Sequence, residues 1–516
     1  MREPVTDTVM KQEEIWGHPK GLYVCFFTEM WERFSFYGMK ALLVLYLIKY
    51  HLFADANANL LMGAYAGLAY SLPFIGGVIS DRYLGMRKSV MFGGILLVIG
   101  HFLMAFEGTQ ATMVNDIITR DDSALAIFYL ALSFIIVGVG FLKPNISTIV
   151  GKLYTDDDPR RDSGFTIFYM GINLGAFTAT LLCGWLGETY GWKYGFGLAG
   201  IGMFIGLITF ARGQKYLMGH AEPKNPADLA KKVLGPISKE VLIYILSVLS
   251  LAVVWFMVQR EYIVQYTTNT LLVIAVVGIL VYAFTKVDKV ARDKIIVLMI
   301  LILSTIVFWA LFQQASTSMT LFADRVVDRN IFGFEILASQ FQSLNALFII
   351  IFAPFFAWMW MRLDKFNMNP NIALKFTYGL FFVAAGFGVM ILGSLNASAT
   401  GQVAMFWLVL MYLLHTSGEL CLSPVGLSAV TKLSPKNIVG FSMGTWFLAT
   451  GLSELLAARI ANIAAVDAVA AKTMSVADFL VKYTELFWFL FKLGMGAAII
   501  LLVVSPLLKK LMHGVK

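Results

Sequence analysis

Runs of roughly 20 apolar residues recur along almost the entire 516-residue chain, separated by short polar breaks. A helix rising 1.5 Å per residue crosses a hydrocarbon core of about 30 Å in such a run. With 59% hydrophobic and 14% charged residues, the chain lacks the polar surface that a soluble protein of this size needs. Strands of a membrane barrel would alternate apolar and polar residues over about ten positions, and that pattern is absent. The expected fold class is therefore an all-α polytopic membrane protein.

Fourteen spans are expected. Six lie near 22–50, 59–80, 88–106, 125–152, 163–187 and 192–211, and two near 240–259 and 268–286. Six more lie near 293–323, 336–361, 372–394, 402–430, 438–463 and 484–508. The stretch from Arg212 to Glu240 is the longest polar linker and contains Pro and Gly breaks. The chain thus divides into an N-terminal six-helix bundle (1–211), a linker with two inserted helices (212–290) and a C-terminal six-helix bundle (291–516). Two six-helix halves around a midplane site is a transporter plan.

Lys and Arg concentrate in alternate loops. Arg82, Arg87 and Lys88, then Lys152, Arg160 and Arg161, then Arg212 to Lys239, Lys286 to Lys294, Lys432 with Lys436, and Lys509 with Lys510 fall on one side. That asymmetry places both termini in the cytoplasm and accounts for the net charge of +8 without a nucleic-acid partner. Cys25, Cys183 and Cys421 lie in or beside apolar segments without metal spacing and read as buried, reduced residues. The polar N-terminus holds no short apolar region with a small-residue cleavage site, so no signal peptide is expected.

Ionisable residues inside apolar spans are costly, and they mark function by default. The first span carries FTEMWERFSFYGM, with Glu29, Glu32, Arg33 and Phe36 on or near one helix face. Two carboxylates sharing one guanidinium leave a net charge of −1 in a low dielectric. One acid can then hold a proton at modest cost, with the two titrating as a pair. A salt bridge that merely locks packing is the alternative, but an apolar residue would pack there more cheaply. Lys143, one residue before Pro144 in GVGFLKPNIST, needs an anion. Glu419, in SGELCLSPVGLS, needs a cation. Cations in one half and an anion in the other describe a receptor for a zwitterion. A short peptide has a carboxylate, an ammonium and amides between them that Asn173 and Asn345 can meet with donors and acceptors.

GGVISDRYLGMRKSV, from Gly76 to Val90, resembles the loop signature of the major facilitator superfamily, with one extra residue before Gly85. There the glycines allow close helix approach, and Asp81 is available to pair with an arginine or a helix N-terminus. The ExxER stretch, GVGFLKPNIST, FTIFYMGINLGAF, FQSLNA, SGELCLSPVGLS and MGTWFLAT together resemble the proton-coupled oligopeptide transporters of that superfamily, over nearly the whole chain. The resemblance implies proton-driven import of di- and tripeptides by alternating access, with the proton as coupling ion and no cofactor. It implies proton coupling at Glu29, Glu32, Arg33 and Glu419. Peptide binding would involve Arg33, Tyr37, Tyr70, Lys143, Asn173, Trp309, Asn345, Glu419, Ser423 and Trp446. An aromatic in a membrane helix otherwise serves packing or an interface belt.

The chain departs from the family at several places. Many members have Tyr where it has Phe36, which would remove a hydroxyl from the pocket wall. Some have glutamate where it has Gln313, so a charged gate between Lys40 and that position is not available in the same form. Lys40 would then face water near the outer end or pair elsewhere, with Asp324 and Arg325 as weaker gate residues. Gly63 stands where animal relatives carry a functional histidine, so coupling should rest on carboxylates, with His415 read as packing. The short joint from Leu395 to Gly401 and the two inserted helices look prokaryotic, which implies a cell inner membrane. The inserted pair reads as structural and lipid-facing. A carrier of nitrate or another small metabolite is the alternative cargo reading, and Glu419 would repel a simple anion. No nucleophile–base pair or metal cluster points to an enzyme.

Overall fold

The computed structural model describes residues 13–155 and 158–515. The first twelve residues of the polar N-terminus, on which the signal-peptide expectation partly rests, lie outside them. The chain begins with α1 (Lys20–Lys49), α2 (Asp55–Ile79), α3 (Met86–Met104), α4 (Asp122–Lys152), α5 (Arg161–Tyr190) and α6 (Trp192–Gly213). A short α7 (Pro226–Ala230) lies in the linker, before α8 (Lys239–Val258) and α9 (Glu261–Thr285). Next come α10 (Lys289–Phe312) and the short α11 (Ser318–Arg325). The chain closes with α12 (Ser343–Lys365), α13 (Ile372–Leu395), α14 (Met405–Leu433), α15 (Val439–Ala461) and α16 (Val476–Leu511). Among the described residues the strands are two- or three-residue pairings in the connections.

Among the described residues, thirteen helical spans are long and apolar enough to cross a membrane. With α1, which is set apart by its charges at Glu29, Glu32, Arg33 and Lys40, the fourteen expected crossings are present. Helix starts follow their caps. The side chains of Asp121, Ser238, Asp288, Asn371 and Ser475 accept from backbone N–H groups in the first turns of α4, α8, α10, α13 and α16. The capping box of Ser475 and Asp478 starts α16 eight residues before the expected 484. The expected continuous span 293–323 is broken. Between α10 and α11 the chain tightens into a 3₁₀ turn at Gln313–Ser316, and Thr317 leaves helical geometry at φ −127°, ψ −98°. The buried Gln314 side chain holds this break. It donates to the carbonyls of Ala310 (3.1 Å) and Ala457 (3.0 Å) and accepts from Ser318 Oγ (2.6 Å).

The N-terminal six helices pack chiefly as α3 on α4 and α1 on α5 and α6, and the C-terminal set as α13 on α14 and α16. The two sets meet along α2–α15 and α5–α12. An even number of crossings leaves both chain ends on one side of the bundle, the terminal end. At the opposite, far end the sets are tied by polar contacts. Arg325 grips Asp55 with two bonds of 2.6 and 2.8 Å, and Asp55 also accepts from the backbone N–H of Val466 (3.0 Å). Lys49 meets Asp324 at 2.6 Å, Asn59 donates to Asn462 at 3.1 Å, and Ser339 donates to Glu188 through its backbone N–H (3.1 Å) and hydroxyl (2.5 Å).

The inserted pair is more than a lipid-facing ornament. α8 packs on α4 and α9 on α15 and α2. Trp255 donates to the carbonyl of Ala126 (3.2 Å), and Asn437 donates to the Tyr282 hydroxyl (2.7 Å). At the terminal end the basic residues of the 76–90 stretch hold the linker: Arg87 pairs with Glu222, and Lys88 meets Glu240 at 2.6 Å. Asp81 is exposed, so the anchoring falls to these bases. The outer faces of α8 and α9 remain apolar and exposed at Leu249, Val253, Val273 and Ile274.

Asp55 is only 2% exposed, so removing its partner strands a buried carboxylate. Arg325→Ala should destabilise the protein by about 3–5 kcal/mol. The double variant Asp55→Ala/Arg325→Ala should lose clearly less. Thermal unfolding in detergent checks the order. A double variant as weak as the single one would show that the pair is not what holds that corner.

Candidate functional site

The charged face of α1 is built from residues one helical turn apart. Arg33 Nε lies 2.7 Å from Glu29 Oε1, as a hydrogen bond, and 3.1 Å from Glu32 Oε2. All three side chains are buried. No hydrogen bond is made by the terminal Nη groups of Arg33 among the described residues, and both oxygens of Glu32 and one of Glu29 lack hydrogen-bond partners. The cluster is thus only half used in pairing with itself. α5 lies close against it because Gly175 has no side chain: a Cβ there would sit 2.2 Å from the Met30 carbonyl oxygen and 3.2 Å from Arg33 Cβ.

Tyr37 follows Arg33 by one turn and is half-buried. From α2 and α4 come Tyr70 and Lys143, whose ammonium stands 3.9 Å from the Tyr70 ring centroid. That contact satisfies the cation in part. Among the described residues no carboxylate lies within ion-pair distance of Lys143. In the other half, Glu419 on α14 accepts from Asn345 Nδ2 of α12 at 2.8 Å, and the same amide donates to Thr416 Oγ1 at 3.2 Å. Glu419 and Lys143 do not pair with each other, although the sequence allowed it. Positive groups thus stand in the N-terminal half and a negative group in the C-terminal half, none of them fully matched.

Other expected residues take less direct places. Asn173 is buried and donates to the Tyr169 carbonyl of its own helix at 3.0 Å. Trp309 is half-buried and meets Phe312 edge to face, at 5.2 Å between centroids. Ser423 is half-buried on α14, one residue before Pro424. Trp446 is 5% exposed and packs against Gly426 and Phe376 inside its own half. His415 donates from Nε2 to the Val383 carbonyl at 3.1 Å and packs against Phe387 and Phe312. The three cysteines are buried and free.

One expectation is corrected. Phe36 does not stand in a pocket wall. It is 2% exposed, stacked on Tyr65 of α2 at 6.2 Å, so the missing hydroxyl is missing from a packed core. Of its two expected places, Lys40 takes the second: it pairs elsewhere and does not face water. It is 3% exposed, donates to Gln313 Oε1 at 3.0 Å and lies 3.4 Å from Glu454 Oε1 on α15. Asp324 meets Lys49 instead of taking part in this contact. Sequence reasoning missed Glu454 and Tyr65. An acid in the apolar stretch FLATGLSELLAAR carried the same signal that singled out Glu419. Tyr65 carried none.

A residue larger than glycine at 175 should push α5 off α1 beside Arg33. Overpacking of this kind costs about 1–3 kcal/mol, and contact with backbone allows little relief. Gly175→Val should lower the thermal midpoint accordingly. Unchanged unfolding would mean that the α1–α5 contact is softer than the geometry indicates.

The sequence matches the family model described as PTR2, POT family, over residues 87–476. It is 37% identical over 513 residues to the uncharacterized transporter YclF of Bacillus subtilis (strain 168), covering 98% of this chain and 97% of that protein. It is 35% identical over 476 residues to a di-/tripeptide transporter of Lactococcus lactis subsp. cremoris, covering 88% and 91%. Among solved structures, a crystal structure of a mutant of peptide transporter POT in complex with alafosfalin matches with a TM-score of 0.81 at 36% identity, covering 98% of each chain.

Proposed function

The chain belongs to the POT family, and from that premise we propose that it imports di- and tripeptides together with protons across the cytoplasmic membrane by alternating access. Residues 1–211 and 291–516 are the two rocking halves in this reading, and 212–290 the linker and inserted pair. The terminal end is cytoplasmic by the distribution of Lys and Arg, so the far end faces outward. The observation that carries the reading is the set of incompletely matched charges across the halves. Arg33 and Lys143 belong to the N-terminal half and Glu419 to the C-terminal half, and in this reading they line one shared space.

The peptide carboxylate then goes to Lys143 and the unused Nη groups of Arg33. The ammonium goes to Glu419, held in place by Asn345, and peptide amides meet Asn345 and Asn173. Tyr37, Tyr70 and Trp309 offer apolar faces with polar tips to varied side chains. A proton on the Glu29–Glu32 pair weakens the hold of these acids on Arg33 and frees it for the carboxylate. Peptide and proton together neutralise the space before the halves rock. One inward positive charge gains about 2.3 kcal/mol per 100 mV of membrane potential. The coupling ion is the proton, and no cofactor takes part. A simple anion as cargo is disfavoured because Glu419 would repel it.

In liposomes, Glu419→Ala should abolish counterflow of a labelled dipeptide. Full activity would remove the ammonium role. Glu29→Gln and Glu32→Gln should each abolish uptake driven by a pH gradient. Survival of that uptake in both would put the coupling elsewhere.

A further inference from the structure

Lys40 is buried at the junction of both halves, and its neighbours determine what neutralises it. Gln313 sits at the α10–α11 break and offers only an amide oxygen, which accepts a hydrogen bond but carries no charge. Glu454 is 3% exposed and brings the carboxylate, 3.4 Å away on α15. No other acid lies within ion-pair distance of Lys40 among the described residues. The space between α2 and α15 is closed at this level. A Cβ on Gly63 would lie 2.5 Å from Ala458 Cβ and 3.2 Å from the Glu454 carbonyl oxygen. No side chain of α2 can therefore enter at position 63 to take the role of Glu454.

We propose that Glu454 is a second titrating site, placed at the far-end closure, whose ionised carboxylate holds the two halves together through Lys40. The inference rests on the transport reading above and adds the residue that links the proton to the gate. The charged and titratable groups facing Glu454 are Lys40 and Tyr37 on α1, Tyr65 and Tyr70 on α2, and Lys143 on α4. From α10 and α11 the neighbours are the amides of Gln313 and Gln314.

The direction follows from the charges. While the far end is shut, ionised Glu454 neutralises buried Lys40. A proton on Glu454 leaves the ammonium with an amide alone, which weakens closure; in the open state water solvates it instead. Proton uptake at Glu454 and opening of the far end therefore favour each other. Closure requires Glu454 to give the proton up. Elsewhere on α1, three carboxylate oxygens of Glu29 and Glu32 lack hydrogen bonds. The buried Tyr65 hydroxyl is also unpartnered.

The test compares wild type, Glu454→Gln and Gln313→Glu/Glu454→Gln, each full-length in liposomes with labelled dialanine. An inward gradient of one pH unit supports about tenfold accumulation per proton. Glu454→Gln should lose that accumulation while retaining counterflow, and the double variant should regain it, because position 313 already touches Lys40. Accumulation by Glu454→Gln at the wild-type level would overturn the proposal, as would loss of both activities that the double variant fails to rescue. Spin labels at the exposed far-end positions Gln110 and Asn330 give a readout without peptide. Their separation should increase in wild type as pH falls and be nearly independent of pH in Glu454→Gln; an unchanged pH response in the variant would also overturn it. If wild type shows the label response but no dialanine counterflow, the peptide reading fails and the gate stands.

Discussion

A charge inside a bilayer is held only where another charge, a dipole or water meets it, and the structure depends on how completely each one is met. Asp55 has two bonds from Arg325 and one from the Val466 backbone. That full set belongs to a joint. Lys143 has the face of Tyr70, and Glu419 has the amide of Asn345. Those partial sets belong to a site. Buried and fully paired ions would be replaceable by apolar side chains at little cost. Ions with an unmet need gain from a ligand that brings the missing half.

The fourteen crossings were legible because their apolar runs match the thickness of a bilayer, whatever their neighbours are. The cluster at Glu29, Glu32 and Arg33 was legible because its geometry is local to one helix. The break at Gln313–Thr317 was not, since QQAST contains neither Pro nor Gly. It exists because Gln314 reaches Ala457 on α15, a partner 143 residues away. Lys40 with Glu454 and Asp55 with Arg325 are likewise set by packing between halves. Sequence shows that such charges need partners without saying which ones.

Phe36 shows the limit of reading a position from its motif. Three residues of one α1 face, Glu29, Glu32 and Arg33, carry charge, and the motif extends that face to Phe36. The helix instead turns Phe36 into α2, where it stacks on Tyr65. Trp446 is similar. Its ring fills the space left by Gly426, whose Cβ would sit 2.3 Å from the indole. In this conformation, which is shut at the far end, that ring is core.

Gly63, Gln313 and Glu454 are best understood as one arrangement. Without a side chain at 63, α15 can lie against α2 closely enough for its backbone at Glu454 to fill the gap. From there the Glu454 carboxylate reaches Lys40 across the two halves. Once the ammonium is neutralised from α15, a second acid at 313 would leave excess negative charge buried beside it, and an amide serves better by accepting a hydrogen bond at 3.0 Å without adding charge. The glycine at 63, the neutral glutamine at 313 and the glutamate at 454 thus fit one packing of α15.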